Sequence, residues 1–591
     1  MMRFAFPLSL LLAMAAFGVH AQTAGTAPAA ANPGAPAAPK TDVPEFWRVP
    51  AMNALVILNS SANFNPNGVT NVSRLVIRDD LPLLRLPEFQ TVVSKYLWQP
   101  MTETNIKQLQ RDIIFYYRAH NRPLVDVSYP EQDVSNGNLQ IIVTEGRLRA
   151  VRVEDSKGNG FTNGWTKSEE LQQGISAKRG GPILESQLNA DLDWLNRNPF
   201  RKVNVLYEKG LEPGASDLVL RVEEQRPFKV FVGYEDSGSR ITDEERILAG
   251  VIWGKAFGLT DHQFSYQFMA NPGFDLLRAH TASYAAPLPW RHTLRVFGSY
   301  VDVKGDLANG NTLEGNSYQA SLRYEIPLPF IEKYQHEFSV GVDYKNNENN
   351  VLFNAQTLAN QPTEVFQAAF GYSGALPDSW GQSGIGAQIY YSPGGITTKN
   401  SNAAFDSYFH ATSKYIYGRF TAERATKLPF TADWQTARVN DCFSWNVRGL
   451  GQITDANLLP SEQLGLGGYG TARGYEEREA NEDRGWLVSN ELRTPGFSIT
   501  RFFGKSQLND RLQLLAFWDY GVGLPKHVQS GQEPHAKFNS VGPGVRYEIS
   551  RYLSLRFDYG WQLTSSGQDD DPITKKSRQD SRGHLGVQIS F

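Results

Sequence analysis

Cysteine is all but missing: Cys442 is the only one in 591 residues, so no intramolecular disulfide can form and no cysteine-based metal site can be built. An excess of one charge is missing too. The 58 basic and 61 acidic residues leave a formal net charge of −3, which lacks the electrostatic footprint of a nucleic-acid binder. Beyond the N-terminus there is no long hydrophobic run. The longest one, Phe4 to Phe17 (FAFPLSLLLAMAAF), is shorter than the roughly 18 to 20 residues a spanning helix needs. Signatures of common enzymes are absent as well. No phosphate-binding P-loop occurs, Ser373 and Ser383 stand in Tyr-Ser-Gly and Gln-Ser-Gly rather than G-x-S-x-G, and the histidines are scattered without ligand spacing. Asp569-Asp570-Asp571 suggests either a calcium site or a solvated loop. No cofactor, no metal and no catalytic residue is expected.

What is present is glycine, at 52 residues, and aromatic side chains, at 12 %, a composition that suits β-structure better than helix bundles. Arg3, the apolar run and Val19-His20-Ala21 read as a signal peptide over residues 1–21. Residues 22–45, rich in Ala and Pro, read as an extended tether.

From 46 to 226 the chain reads as two small α+β modules, 46–146 and 147–226. In the first, SRLVIRDD is a strand, Glu88 to Tyr96 a short helix, and Thr102 caps a second helix whose Ile106, Leu109, Ile113 and Ile114 share a face. Strands Pro123 to Tyr129 and Asn138 to Gly146 follow across Ser135-Asn136-Gly137. The second module repeats this order: RAVRVE, a short helix near Ser168, a stripe of Leu184, Leu188, Leu192 and Leu195, then Lys202 to Tyr207 and Ser216 to Glu224 across Glu212-Pro213-Gly214. The β-α-α-β-β order resembles POTRA (polypeptide-transport-associated) domains. Asn196, Pro199, Pro213-Gly214, Asp217-Leu218, Leu220 and Pro227 occur together as they do in the last POTRA of two-partner secretion transporters. Tyr129 to Asp133, with Gly137, Leu139 and Gly146, is similar to the first POTRA of that family.

Independently of that resemblance, residues 227–591 alternate. Leu553, Leu555, Phe557, Tyr559, Trp561 and Leu563 face one way and Ser554, Arg556, Asp558, Gly560 and Gln562 the other; Phe338 to Tyr344 and Tyr318 to Ile326 repeat the pattern. About 16 such segments, with aromatic residues toward their ends and polar residues on the opposite face, read as a transmembrane β-barrel of antiparallel strands. The last segment, HLGVQISF, ends on Phe591 and resembles the C-terminal signal read by the outer-membrane barrel assembly machinery.

One glycine run needs placing. GLGGYGTARGYEERE (Gly465 to Glu479) satisfies G-x-G-x-x-G, but a dinucleotide fingerprint requires a strand before it and a helix after it, and the following TARGYEEREANEDRGW has no helical stripe. It reads instead as part of a long loop, 455–484, between the eleventh and twelfth strands. Arg473-Gly474-Tyr475 there resembles the V-R-G-Y/F tip that two-partner secretion transporters and related barrel assembly factors fold back into the lumen, with Ala472 in place of Val. Phe517-Trp518-Asp519-Tyr520-Gly521 resembles the F-x-D-x-G of that family's thirteenth strand. Leu512, Leu514, Ala516, Trp518, Tyr520 and Val522 form the apolar face, so Phe517, Asp519 and Gly521 point into the lumen. There Asp519 is expected to pair with Arg473 in a bidentate, charge-assisted contact.

Taken together, the motifs resemble the outer-membrane exporters of haemolysins and filamentous haemagglutinins. The resemblance implies two periplasmic POTRA domains that capture an unfolded secreted partner protein and a barrel, seated in outer-membrane lipid, that conducts it to the cell surface. Val125, Asp126 and Val127, on a strand that lies at the sheet edge in related domains, are the expected recognition site. An assembly factor that inserts other barrels shares both motifs but usually has more POTRA domains; a passive diffusion porin would need none.

Overall fold

The structure, a computed structural model, describes residues 50–591 apart from 73, 79, 163, 240, 307–311, 349–360, 409, 432, 505–507, 529–533 and 568–579. The expected signal peptide, the tether and Asp569 to Asp571 lie outside the described residues. The chain divides into two compact units, one ending at Gln225 and one beginning at Arg226.

The first unit opens with β1 (Ala54–Leu58) and β2 (Leu75–Ile77), continues through helices α1 (Pro87–Ser94) and α2 (Glu103–Ala119), and closes with β3 (Val125–Ser128) and β4 (Asn138–Glu145). The Thr102 hydroxyl accepts the Asn105 N–H at 3.2 Å and starts α2, whose Leu109, Ile113 and Tyr117 pack with Phe89, Leu55, Ile57, Leu139 and Ile141 in one core. The sheet order is β2-β1-β4-β3. This corrects the expected opening strand. SRLVIRDD supplies only the edge strand β2, whereas Ala54–Leu58 takes the position beside β4, parallel to it. Every residue of ALVIL is buried, and a strand covered on both faces shows no alternation to read.

Only Gly146 separates β4 from β5 (Arg147–Asp155), which leads through α3 (Ser168–Gln173) and α4 (Glu185–Leu195) to β6 (Arg201–Lys209) and β7 (Ala215–Glu224) in a sheet ordered β5-β7-β6. At the turn into β6 the Asn196 side chain acts as a backbone surrogate, accepting the Val203 N–H at 2.7 Å and donating to its carbonyl at 3.0 Å. A bulge between Leu148 and Ala150 frees Arg149, whose Nε donates to Asp217 Oδ1 at 2.8 Å. That hydrogen bond holds the buried Asp217 carboxyl below the usual carboxylate range.

Sixteen antiparallel strands close the second unit into a barrel. They begin with β8 (Phe228–Glu235), β9 (Arg246–Trp253), β10 (Gln263–Ala270), β11 (Leu277–Pro287), β12 (Thr293–Asp306) and β13 (Thr312–Pro327). Then come β14 (Gln335–Asn347), β15 (Thr363–Asp378), β16 (Gly381–Ser392), β17 (Tyr415–Lys427) and β18 (Ser444–Thr454). The long loop after β18 carries its own small pair, β19 (Leu464–Leu466) with β20 (Ala480–Glu482). The wall resumes with β21 (Arg484–Arg493), β22 (Asp510–Leu524), β23 (Ala536–Ile549), β24 (Leu553–Gln562) and β25 (Ser581–Ser590). Among the described residues no helix is long and apolar enough to cross a membrane; the strands make the crossing. Their outward positions hold Val296, Tyr318, Leu322, Phe370, Trp518 and Trp561, all exposed, while Asp519, Asp558 and His584 turn inward and are buried. Such an inverted distribution suits a hydrocarbon surround and a polar lumen. The closing seam of β25 on β8 has five register pairs against fourteen between β12 and β13, so the barrel is held least at its seam.

Candidate functional site

The loop between β18 and β21 puts its tip inside the wall rather than in solvent: Ala472 and Tyr475 are fully buried and Arg473 is 3 % exposed. Arg473 Nε and Nη2 each donate to the Asp519 carboxylate at 2.8 Å, and its main-chain N–H donates to the same group at 3.0 Å. Nη1 donates to Glu491 at 2.6 Å and Nη2 to the Ser489 hydroxyl at 3.0 Å. The guanidinium also lies 3.7 Å from the centre of the Phe517 ring, a cation–π contact that gives Phe517 its part. β22, the thirteenth wall strand, thus turns Phe517 and Asp519 toward Arg473, while Trp518 between them is exposed.

The pair belongs to a larger cluster. Asp558 lies 3.7 Å from Arg473 and accepts from Arg546 at 2.8 Å and from Arg556 at 2.7 Å; Arg493 donates to Glu491 at 2.8 Å. A buried ionic cluster is a weak source of stability, but each member becomes costly to remove, because its partners stay buried and uncompensated. The cluster therefore sets where the tip sits.

Gly474 is held by close approach. Its φ of +89° is one that glycine tolerates, and a Cβ there would meet the Gly560 backbone at 2.9 Å; the main chains of tip and wall touch where neither residue has a side chain. Gly474 N–H donates to His584 Nε2 at 3.2 Å and its carbonyl accepts Gln562 Nε2 at 2.7 Å. Just there the β23–β24 ladder is interrupted, at Gly542 and Pro543, since proline has no N–H to give. Tyr475 sets its ring edge-on to Phe538, 4.8 Å between centres. Its hydroxyl lies 2.7 Å from the Thr564 carbonyl and 3.0 Å from the Asn539 carbonyl, and accepts the Asn539 N–H at 2.9 Å. At Gly521 a Cβ would meet the Trp486 carbonyl and the Leu487 side chain at 3.2 and 3.3 Å. Ser489, Glu491 and His584 were not singled out from sequence, and Asp558 only as one residue of a polar strand face. Alternation along GWLVSNELR turns Ser489 and Glu491 inward with Leu487, a signal that was there to use.

In the first module β3 pairs with β4 and no other described strand. The Gly146 N–H donates to the Leu124 carbonyl at 3.0 Å, and antiparallel alternation from that pair turns the N–H and C=O of Val125 and Val127 to the open edge and those of Asp126 toward Thr144. One open group is already engaged, since Gln110 Nε2, on α2, donates to the Val127 carbonyl. Phe591 stands at the seam, its N–H donating to the Val230 carbonyl at 2.9 Å with its ring exposed.

The model of the family described as haemolysin secretion/activation protein ShlB/FhaC/HecB matches residues 214–546, more than half of the chain. The chain belongs to the ShlB/FhaC/HecB family. A second match, to the ShlB-type POTRA domain, covers residues 72–146. Among curated relatives within reach of this family, the haemolysin transporter protein ShlB of Serratia marcescens is 22 % identical over 487 residues, covering 81 % of this chain and 80 % of that protein. The heme/hemopexin transporter protein HuxB of Haemophilus influenzae is 20 % identical over 470 residues, 78 % and 77 % of the two chains. Among solved structures, CdiB from Escherichia coli superposes with a TM-score of 0.68 at 14 % identity, covering 94 % of this chain and 93 % of that one; that likeness shows the fold. A ShlB/FhaC/HecB protein with this barrel resides in the outer membrane, its POTRA region in the periplasm.

Proposed function

We propose that this protein carries a large secreted partner protein, of the haemolysin or adhesin type, from the periplasm to the cell surface. The two α+β modules, residues 46–146 and 147–226, receive the partner unfolded, and the barrel, residues 227–591, conducts it. The observation that carries this reading is the loop tip held inside a closed barrel by non-covalent contacts alone, in a family that includes a haemolysin transporter. A passage normally occupied by a removable loop suits a bulky, extended cargo better than a small solute. The N–H and C=O of Val125 and the N–H of Val127, at the open edge, supply main-chain partners for an extended segment. The chain is read as a transporter without enzymatic activity, driven by folding of the partner outside rather than by nucleotide hydrolysis. Lipid meets the exposed aromatic and aliphatic band, and the barrel assembly machinery reads the C-terminal segment ending at Phe591. Secretion of the cognate partner by cells expressing wild type or Arg473→Ala tests this: export with the first and periplasmic retention with the second is the expected result, and equal export by both would contradict it.

A further inference from the structure

The loop carries a second buried charge that the tip cluster does not use. Glu462 is 0 % exposed. One of its carboxylate oxygens accepts from Lys345 Nζ at 2.7 Å and from the Ser461 hydroxyl at 3.1 Å; the other accepts from the Tyr417 hydroxyl at 2.8 Å and from Gln367 Nε2 at 3.3 Å. Its main-chain carbonyl accepts from Arg419 Nη2 at 2.8 Å and from Gln452 Nε2 at 3.1 Å. These wall partners stand on β14, β15, β17 and β18, whereas Arg473 is held by β21, β22 and β24. The two sets share no strand. Beside Glu462, Leu458 and Leu459 are buried with Tyr390, Phe405, Tyr408 and Tyr415 in a separate apolar cluster. Between the two charges lies the glycine run, in which Gly467 and Gly468 take φ of +98° and +102°, conformations that let the chain turn sharply from one wall to the other.

We propose that Glu462 is a second anchor of the loop, acting independently of Arg473, so that the loop is clamped at two points on different arcs of the barrel. Apolar packing and a carboxylate–ammonium pair hold the stem; the arginine cluster holds the tip. Glu462 is a positioning residue and Lys345 its partner. The inference rests on the reading that the docked loop narrows the pore.

Resting conductance of full-length protein in planar bilayers tests it, with heat-modifiable gel mobility confirming that each variant is a folded barrel. Glu462→Gln and Lys345→Met should each raise the time spent in large openings about tenfold or more, because each leaves a buried partner uncompensated. Lys345→Arg, which keeps the charge, should remain near wild type. Glu462→Gln combined with Lys345→Met should do no more than either alone, whereas Glu462→Gln with Arg473→Ala should multiply the two effects. If Arg473→Ala raises conductance and Glu462→Gln does not, or if their combination equals Arg473→Ala, Glu462 is no separate anchor. If neither variant changes conductance, the reading of the loop as a pore-narrowing element fails instead. Should Glu462→Gln yield no folded barrel, Lys345→Met against Lys345→Arg decides the same point.

Discussion

Arg473→Ala isolates the tip contact. The substitution removes two hydrogen bonds to Asp519, one to Glu491, one to Ser489 and the contact with the Phe517 ring. It spares the main-chain N–H to Asp519, and Glu491 keeps Arg493. Asp519 is therefore the group left buried with its charge uncompensated. Removing one partner of a buried ion pair costs about 3–5 kcal/mol; entry of water into the lumen places this case near the lower end, about 3 kcal/mol. None of the ten register pairs between β21 and β22 involves that side chain's hydrogen bonds, so the barrel persists and the cost falls on docking of the tip. At 1.4 kcal/mol per tenfold, roughly a hundredfold shift toward the undocked loop follows. Planar-bilayer recordings should show more frequent and larger openings, the protein should still insert with normal heat-modifiable mobility, and export of the partner should fall. Arg473→Lys should be intermediate, since an ammonium cannot reproduce the fork geometry. Wild-type conductance together with normal export by an inserted Arg473→Ala barrel would refute the reasoning.

Asp519→Ala should resemble Arg473→Ala, and the double variant should be clearly less than additive, as expected of partners in one contact; strict additivity would separate them. Deleting Gly465 to Asp483 should enlarge the pore, and equal conductance in both forms would mean that the loop does not narrow it. Gly474→Ala brings a Cβ to 2.9 Å from the Gly560 backbone and should undock the tip as Arg473→Ala does, a result that protease access to the loop would report. In the first module Gln110→Ala frees the Val127 carbonyl and should strengthen binding of an unfolded partner fragment in a titration, whereas Asp126→Pro removes an N–H directed at Thr144 and should lower the stability of the module; no gain with Gln110→Ala would move the receptor site elsewhere. The Asp217 carboxyl, depressed by its hydrogen bond from Arg149, contributes stability that is present above the unfolded value of about 3.9 and is lost as pH falls through the lower folded value. Asp217→Asn should therefore destabilise a fragment of residues 24–225 near neutrality and flatten its acid transition, read by thermal melting at several pH values.

Much of this was legible because membrane strands keep a strict period of two. That period placed Phe517 and Asp519 on the inward face of β22, whereas Arg473 as their partner rested on the resemblance of Arg473-Gly474-Tyr475 to a loop tip that enters the lumen. It failed at Ala54–Leu58, where burial on both faces erases alternation, and SRLVIRDD, of which only Leu75–Ile77 is strand, took the role instead. The direction of the main-chain groups at Val125, Asp126 and Val127 was not legible at all, because side-chain pattern carries no information on which residues of an antiparallel pair exchange hydrogen bonds. Glu462 escaped for another reason: loops have no period, so nothing in the sequence distinguishes a carboxylate aimed at Lys345 from Glu476 or Glu479 further along. Asp558 was placed on the polar face of its strand and Arg546 lies on the neighbouring strand of the same hairpin, but Arg473 comes from the loop before β21 and only the folding of that loop into the lumen brings it to Asp558.

On the function proposed above, this chain exports one partner protein rather than assembling other barrels or passing small solutes. Quantitative proteomics of culture supernatant, cell surface and outer membrane, with the gene deleted and restored, tests it most directly. One large secreted protein should disappear from surface and supernatant on deletion and return with wild type but not with Arg473→Ala, while the levels of other outer-membrane barrels stay unchanged. Depletion of many outer-membrane barrels, or an unaltered secreted and surface proteome, would contradict it.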